Sequence, residues 1–426
     1  MHELTELIKN DMKPALGVTE PGAIAYAVAK AKEYVGGELK SIVVNLNSGM
    51  YKNAFTCGIP NCKEVGSEWA AALGYVAGVS DLKLLSLSKV NEKDNELAKK
   101  LIDDGEIKIN LREISSNIYI EAIVTTVNDI AKVIIEDAHT NITKIIVNDK
   151  IVYENQKKEI KVDGVKTIHK YKLKDFIDYV DSVDISEIEF VKVAYQVNLE
   201  LFDEAMKSDR TIFAHELKRQ NDDKIISTDE KNTASLLCNA AIEARVIGLD
   251  KPAMSITGSG AHGIIAVMPL YAVYKIENLS DEKLYRATML SYLICTYIKE
   301  YSGKLSAFCG CAIAAGTGMA CAIAYLKGGK EKELEYVVSN MASSITGMIC
   351  DGGNQGCTMK GVVAVDAAFR SVNFAMNGVH IDKVHGINGD TPEDTMRNMG
   401  LIASPGMVGT EKTIVDIFEN KSNRKV

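Results

Sequence analysis

Several features that would assign this 426-residue sequence to a specialised class are missing. The formal net charge is −8, so the chain has no excess of the basic residues that nucleic-acid binding requires. The N-terminus carries charges from the third residue onward and has no apolar signal core, which argues against secretion. Internal repeats and low-complexity tracts are also absent, and the composition is that of a globular protein. We therefore expect a cytoplasmic protein with no nucleic-acid partner.

One uncharged stretch, from Leu305 to Leu326, is long enough to cross a bilayer. It is rich in Ala, Gly, Ser and Cys, however, and poor in the large apolar residues that favour membrane insertion. We therefore predict a helix buried inside a large domain and no membrane partner.

The chain has nine cysteines but no CxxC pair. Without a secretory signal the thiols are expected to be reduced, which favours metal binding or catalysis over disulfides. Cys309 and Cys311 begin an apolar helix, and Cys350 and Cys357 flank a glycine loop. Thiolates bind iron–sulfur clusters and structural zinc. The spacing alone leaves metal binding and simple burial of four apolar thiols equally open.

The hydrophobic pattern predicts an α+β protein in three parts. Helices over 1–36 are expected to pack on the last domain. Residues 37–184 are predicted as a mixed α/β domain, because β-branched residues alternate through a small antiparallel sheet over 106–153, backed by later helices. Residues 185–426 are predicted as a helical domain, with apolar helices near 230–248, 264–276, 283–301, 305–327, 331–349 and 358–377.

Local signals add finer expectations for the first two parts. Thr19 is the expected N-cap of a helix that starts at Pro21. In chain order the patterns predict a helix over 3–10, a turn at 13–14, a helix over 21–34, a strand over 40–46, a loop over 47–66, helices over 67–77 and 91–102, and a surface linker or hairpin over 157–174.

Gly258, Gly260 and Gly263 match the G-x-G-x-x-G pattern of dinucleotide-binding proteins. The preceding apolar segment is short, and no series of parallel strands and helices surrounds the motif. We interpret the match as a coincidence, with a nicotinamide-dependent dehydrogenase as the rival hypothesis.

Six segments of the sequence resemble the L-cysteine desulfidase and UPF0597 family, which is related to the iron–sulfur L-serine dehydratases of the alpha-subunit type. They are KPALGVTEPGAIAYAVA, MYKNA, HTNI, ITGSGAHGIIAVMP, LSAFCGCAIAAG and GMICDGGNQGCTMK. The resemblance implies a 4Fe-4S cluster on Cys309, Cys350 and Cys357, with Cys311 as a packed neighbour or the alternative first ligand. Three ligands leave one iron open to act as a Lewis acid. The implied activity is β-elimination from a small amino acid such as L-cysteine or L-serine.

The sequence departs from the family pattern at the expected base. The family motif LGCTEP reads LGVTEP here, so Val18 stands where relatives carry a cysteine that resembles the proton-abstracting residue. His262 stands in GSGAHG, where relatives have GSGNQG. Three explanations are open: a relocated base on His262, Cys62 or Cys57, a different carboxylate substrate, or ligand binding without turnover.

Further site residues follow from the resemblance and from their chemistry. Glu20 is a candidate for catalysis and, with Thr19, for binding the substrate amine. Lys52 and Asn53 suit a carboxylate, and Ser259 can offer N–H and hydroxyl groups to an anion. His139, Thr140 and Asn141 are polar residues at a predicted strand end. The alternatives are helix capping for Thr19 and Glu20, a surface position for Lys52, and a plain turn at 139–141.

Two other expectations complete the prediction. A zinc-stabilised binding protein is the alternative function, with Cys309, Cys311, Cys350 and Cys357 as a closed tetrahedral site. Exposed helix faces make a homodimer possible.

Overall fold

The computed structural model describes residues 1–155, 166–303 and 305–422. Residues 157–165, half of the predicted linker over 157–174, lie outside these ranges. The other half contains a 3₁₀ segment at Thr167–Lys170 and the start of a helix at Leu173. Within them the chain forms eight strands and seventeen α-helices, which confirms an α+β fold.

The first part of the chain alternates helices with strands. Its α-helices are α1 (Glu3–Asp11), α2 (Thr19–Lys32), α3 (Ser48–Ala54), α4 (Ser67–Ala77) and α5 (Glu92–Asp103), with a 3₁₀ segment at Ser80–Leu85. Its strands are β1 (Lys13–Leu16), β2 (Leu39–Asn47), β3 (Ile107–Glu113), β4 (Tyr119–Thr126), β5 (Ile130–Glu136), β6 (Ile142–Val147) and β7 (Lys150–Glu154).

The larger sheet has six strands in the order β3-β2-β4-β5-β6-β7. The β2 and β3 strands run parallel, with Ile42 opposite Ile107, and the other pairs are antiparallel. The sheet is therefore mixed, not purely antiparallel as predicted, because α3 to α5 provide the crossover that a parallel pair needs. The prediction that later helices back this sheet is also wrong, since α2 packs against β4 and β5 and α4 against β3.

Three local predictions near the N-terminus are wrong for physical reasons. The expected turn at 13–14 is strand β1, whose partner β8 (Pro252–Ser255) lies in the distant second half of the chain. Val18, not Thr19, occupies the N-cap of α2, because the Thr19 hydroxyl donates to the neighbouring Glu20 carboxylate. The expected loop over 47–66 begins with helix α3.

The second half of the chain is helical, as predicted. Its α-helices are α6 (Leu173–Ser182), α7 (Ile185–Ile188), α8 (Lys192–Lys207), α9 (Ile212–Gln220), α10 (Glu230–Val246), α11 (Gly260–Ile276), α12 (Asp281–Ser302), α13 (Gly316–Leu326), α14 (Glu331–Ile345), α15 (Gly356–Met376), α16 (Pro392–Leu401) and α17 (Val408–Ser422). Short 3₁₀ segments lie at Thr167–Lys170 and Glu189–Val191, and π-helical turns at Cys311–Ala315 and Ile402–Gly406.

Buried apolar residues from Leu4 to Ala403 form one continuous core. The α10, α11 and α13 helices are buried on nearly every side, since their Ala and Gly residues allow neighbouring helices to approach closely. In the described part of the chain, no helix is long and apolar enough to cross a membrane. The proposed boundaries at 36 and 184 stay a prediction.

The glycine motif before α11 does not belong to a dinucleotide-binding fold. It follows β8, which forms a two-stranded antiparallel sheet with β1 in the described residues. A dinucleotide fold requires this turn to follow a strand of a parallel βαβ unit. The rival dehydrogenase hypothesis therefore has no structural support.

Candidate functional site

A cavity of about 230 Å³ lies where the two halves of the chain meet. Its walls come from the start of α2, the turn after β5, the loop that enters α11, and the cysteine segments before α13 and α15. The volume suits a small metabolite rather than a cofactor-sized ligand. Nine of the residues singled out from the sequence line it: Thr19, Glu20, Asn53, His139, Thr140, Ser259, His262, Cys311 and Cys350.

The buried carboxylate of Glu20 forms the acidic wall of the cavity. Asn53 Nδ2 donates to Oε1 at 2.8 Å, and the Thr19 hydroxyl donates to Oε2 at 3.0 Å. His139 Nε2 lies 3.7 Å from Oε1, too far for a hydrogen bond, and has no hydrogen-bond partner. Burial opposes ionisation, but His139, Asn53 and Arg245 outweigh it and lower the pKa of Glu20 to about 2. Glu20 is therefore a stable anion at neutral pH.

His262 faces the cavity and contacts the Thr257 hydroxyl through Nδ1. Because that hydroxyl also lies 2.7 Å from the Ile256 carbonyl, to which it can donate, the arrangement favours the tautomer in which His262 Nδ1–H is the donor to Thr257. The Nε2 lone pair then points towards the Cys309–Cys311 turn, because a Cβ on Gly310 would lie 2.7 Å from Nε2. Burial, with the nearby Lys299 and Arg245 cations, lowers the pKa of His262 to about 3 and keeps the ring neutral.

A short backbone bridge brings Cys309 and Cys350 together. Cys309 N–H donates to Met348 at 3.0 Å, Cys350 N–H donates to Ala307 at 2.6 Å, and Phe308 pairs with Ile349. In an antiparallel bridge of this kind, residues diagonal to each other project to the same side. The Cys309 and Cys350 side chains therefore emerge on one side of the bridge.

Cys357 returns to the same place through the glycine loop. It is the second residue of α15, and its thiol donates to the Gly352 carbonyl at 3.4 Å. Gly352 has φ +101°, and a Cβ there would lie 2.5 Å from the Lys52 carbonyl oxygen, so only glycine fits this turn.

The three thiols share one electrostatic environment. The pKa of Cys309 lies well above its usual range because of its Cys311 neighbour and its burial, and burial raises the pKa of Cys350 and brings that of Cys357 to about 12. Lys360 is ion-paired with Asp351, and its positive charge lowers the pKa of all three thiols, against the effect of burial. A metal that binds here has to displace thiol protons, and Lys360 offsets part of the resulting negative charge.

The thiols are not arranged for a single metal ion. In residues 1–155, 166–303 and 305–422, no three His, Cys, Asp or Glu side chains come together at metal-ion spacing. Zinc–sulfur bonds of about 2.3 Å would require four sulfurs in near contact. This geometry counts against the closed four-cysteine zinc site. A four-iron cluster holds its ligands further apart, so the iron–sulfur hypothesis stays a prediction.

Val18, at the position of the expected base, lies against the cysteine loop. It is buried, and a Cβ on Gly353 would lie 2.8 Å from its Cγ1 atom. Position 18 is therefore next to the segment that joins Cys350 to Cys357.

Six other predicted site residues lie outside the cavity lining, and two of them are Cys309 and Cys357. Lys52 is buried, with its ammonium group 2.7 Å from Glu411 Oε2, so it is neither a surface lysine nor free to bind a carboxylate. Cys57 and Cys62 are buried in the segment that follows α3. Asn141 completes a turn by donating to the Glu136 carbonyl at 2.9 Å.

Sequence reasoning missed several polar residues around the cavity. Asp11, Lys13, Thr257 and Lys299 line it, and Arg245 lies behind it. Charges on α1, α10 and α12 give no local signal, because a charged residue on a helix is usually solvated. Thr257 lies in the ITGSG segment, where a hydroxyl group beside glycines is typical of an ordinary turn.

Comparison with known proteins identifies the family of the chain. The profile of the serine dehydratase alpha chain family matches residues 80–416, most of the chain. The chain belongs to the serine dehydratase alpha chain family. The chain also matches proteins named UPF0597 over nearly its full length.

A UPF0597 protein of Clostridium botulinum is 42% identical over 430 residues, which cover 98% of this chain and 99% of the relative. UPF0597 proteins of Caldanaerobacter subterraneus subsp. tengcongensis and Clostridium perfringens are 38% and 34% identical, over 98% and 100% of both chains. These matches confirm the predicted family. The match to the serine dehydratase alpha chain family indicates a serine-dehydratase-like lyase, whereas the names of the UPF0597 relatives state neither an activity nor a substrate.

Proposed function

We propose that this protein is a 4Fe-4S-dependent lyase that performs β-elimination on a small amino acid such as L-serine or L-cysteine, or on a related carboxylate. The observation that carries the proposal is one small cavity lined by the ionised Glu20 carboxylate, the neutral His262 and the Cys350 thiol. Cys309 and Cys357 lie outside this lining, and the backbone bridge and the glycine loop connect them to Cys350. Family membership supports lyase chemistry.

Cys309, Cys350 and Cys357 are the proposed cluster ligands. The bridge between 307–309 and 348–350 supports their convergence, as does the glycine turn that brings Cys357 back. The donor set fits the group, because cysteine thiolates are the usual ligands of such clusters. When bound, a cluster with three protein ligands supplies a Lewis acid for the substrate's β-hydroxyl or β-thiol group.

Glu20 is proposed to bind the substrate ammonium group. Its two oxygens are oriented by Asn53 and Thr19, and the carboxylate stays charged over the whole physiological pH range. His139 Nε2, which has no hydrogen-bond partner, completes this side of the cavity as a second polar contact for the ligand.

His262 is proposed as the base that replaces the family cysteine. Its Nδ1–H is held by Thr257, so the Nε2 lone pair is free to accept the Cα proton. Transfer of that proton to Nε2 leaves an electron pair that forms the Cα–Cβ double bond while the β-substituent departs as hydroxide or hydrosulfide. The proton on His262 Nε2 then passes to the leaving group, which gives water or hydrogen sulfide and restores the neutral imidazole. The released aminoacrylate tautomerises and hydrolyses to pyruvate and ammonia.

The test is a turnover assay of the anaerobically reconstituted protein with L-serine and L-cysteine, followed by detection of pyruvate, ammonia and sulfide. His262→Asn should lower kcat by about 10² to 10⁴, the usual contribution of a positioned base. The matched control is His169→Asn, because His169 is also partly buried but stacks on Tyr301 away from the cavity. Full activity in His262→Asn, or no product from either substrate, would contradict the proposal.

Val18→Cys tests the departure from the family motif. The new thiol would lie against the Gly353 segment, next to the proposed cluster ligands. A gain of cysteine cleavage that persists in the His262→Asn background would show that position 18 supplies a base when it is cysteine. No gain would argue that the base lies at another position.

A further inference from the structure

Arg245 is a buried cation that forms no direct ion pair with any residue that the structure describes. It lies near the end of α10 and is 4% exposed. Among the described residues its guanidinium group makes no hydrogen bond and no ion pair, and Nε is buried without any partner. Arginine cannot lose its proton in a protein, so this charge is stabilised only at a distance, by the Glu20 carboxylate, until an anion binds to it directly.

The guanidinium group lies at the start of α11. A Cβ on Gly260, the first residue of that helix, would lie 2.7 Å from Arg245 Nε. No side chain caps this helix end, so the first N–H groups of its seventeen residues lack a side-chain acceptor. Ser259, directly before α11, lines the cavity, so a ligand there reaches the first turn of the helix.

Two independent features therefore favour an anion at one point. The helix N-terminus presents N–H donors and the positive end of the helix dipole. Arg245 adds a full positive charge and a planar pair of donors that matches a carboxylate. Glu20, on the acidic wall of the same cavity, lies close enough for Arg245 to lower its pKa.

We propose that Arg245 and the first turn of α11 form a carboxylate subsite, which binds the α-carboxylate of an amino acid whose ammonium group contacts Glu20. This inference rests on the proposed function only in taking an amino acid as the ligand. It also gives a reason for glycine at position 260, since any side chain there would displace the guanidinium group.

The experiment measures binding of L-alanine and L-alaninamide to the full-length reconstituted protein by calorimetry. L-Alanine has no leaving group on Cβ, so its binding is independent of elimination, and L-alaninamide keeps the ammonium group but lacks the carboxylate. The wild-type protein should prefer L-alanine. Arg245→Met should weaken L-alanine binding by about 30-fold and remove the preference, because a buried charged partner is lost. Arg245→Lys should weaken it less, since it keeps the charge without the planar donors.

Arg210→Met is the control, because Arg210 donates to the Ile247 carbonyl at the end of the same helix but is exposed and outside the cavity. It should bind L-alanine as the wild type does. Thermal melting without ligand is the second readout. Arg245→Met should melt at the same temperature as the wild type or higher, since an unpaired buried charge is removed.

Four results would overturn the proposal. They are an unchanged preference in Arg245→Met, a lower melting temperature that reveals a structural role, Arg245-dependent binding of sulfate without binding of L-alanine, and no binding of any of these probes. Failure of the lyase assay together with Arg245-dependent L-alanine binding would reject the elimination reaction while keeping the subsite.

Discussion

The buried ion pair between Lys52 and Glu411 makes a strong prediction about stability. It joins α3 to the C-terminal helix α17 at 2.7 Å, with the two side chains 0% and 6% exposed. The Lys52 ammonium group also donates to the Ser306 carbonyl at 2.9 Å, just before the proposed ligand Cys309. Glu411 Oε1 has no hydrogen-bond partner, so this carboxylate depends on Lys52 for its stabilisation.

Removing one partner of the ion pair should lower the free energy of unfolding strongly, whereas removing both partners should lower it much less. Lys52→Met leaves a buried carboxylate uncompensated, for which we expect a loss of about 3 to 5 kcal/mol in the free energy of unfolding. Glu411→Met leaves a buried ammonium group and should cost a similar amount. The double variant replaces the pair by apolar side chains and should recover most of the loss.

Urea unfolding of the two single variants and the double variant gives the coupling energy directly. The control is Lys412→Met, since the Lys412–Asp416 pair lies on the same helix with both side chains at least half exposed. That variant should unfold like the wild type. Single variants that unfold within about 1 kcal/mol of the wild type would refute the reasoning, because a desolvated pair cannot lose one partner at so low a cost.

Two further predictions concern the cavity wall and the helix packing. Because the pKa of Glu20 is lowered from 4.5 to about 2, its ionisation stabilises the fold above pH 4.5, by about 3 kcal/mol, and this contribution is lost as the pH falls towards 2. Glu20→Gln should remove that component from the acid-unfolding curve, and an identical curve would contradict the prediction. Gly318→Ala should destabilise the protein by about 1 to 3 kcal/mol, because the new Cβ would lie 2.3 Å from the Ser291 carbonyl oxygen of α12. Gly347→Ala is its control, having nothing within 4 Å, and equal thermal stability of the two alanine variants would refute the packing argument.

Much of the fold could be predicted because it follows from local patterns. The amphipathic and buried helices of the second half, and strands such as β2 and β4, appear at nearly the predicted residues. The parallel pairing of β2 with β3 and the pairing of β1 with β8 could not be predicted, since these depend on contacts between distant segments.

The site residues that belong to local sequence motifs could likewise be predicted, whereas those that depend on contacts between distant segments could not. Glu20, Asn53, His139, Ser259 and His262 line one cavity as their motifs indicate. The roles of Lys52 and Arg245, in contrast, depend on contacts with distant residues that the sequence does not show.

Lys52 is an example of a motif residue whose role lies elsewhere. It stands in the MYKNA segment, but its partner Glu411 is more than 350 positions away. Arg245 lies outside the recognised motifs, and nothing in the sequence of its helix distinguishes it from a solvated arginine. Only its burial against Gly260 in the structure indicates a role in the site.

The most direct test of the central claim is the iron and acid-labile sulfide content of the anaerobically reconstituted chain. We expect about four of each per chain, bound to Cys309, Cys350 and Cys357. Cys350→Ala should lose most of both, whereas Cys321→Ala, which removes a buried thiol from α13, should keep them. One zinc ion per chain without iron, or equal iron in the two variants, would contradict the account.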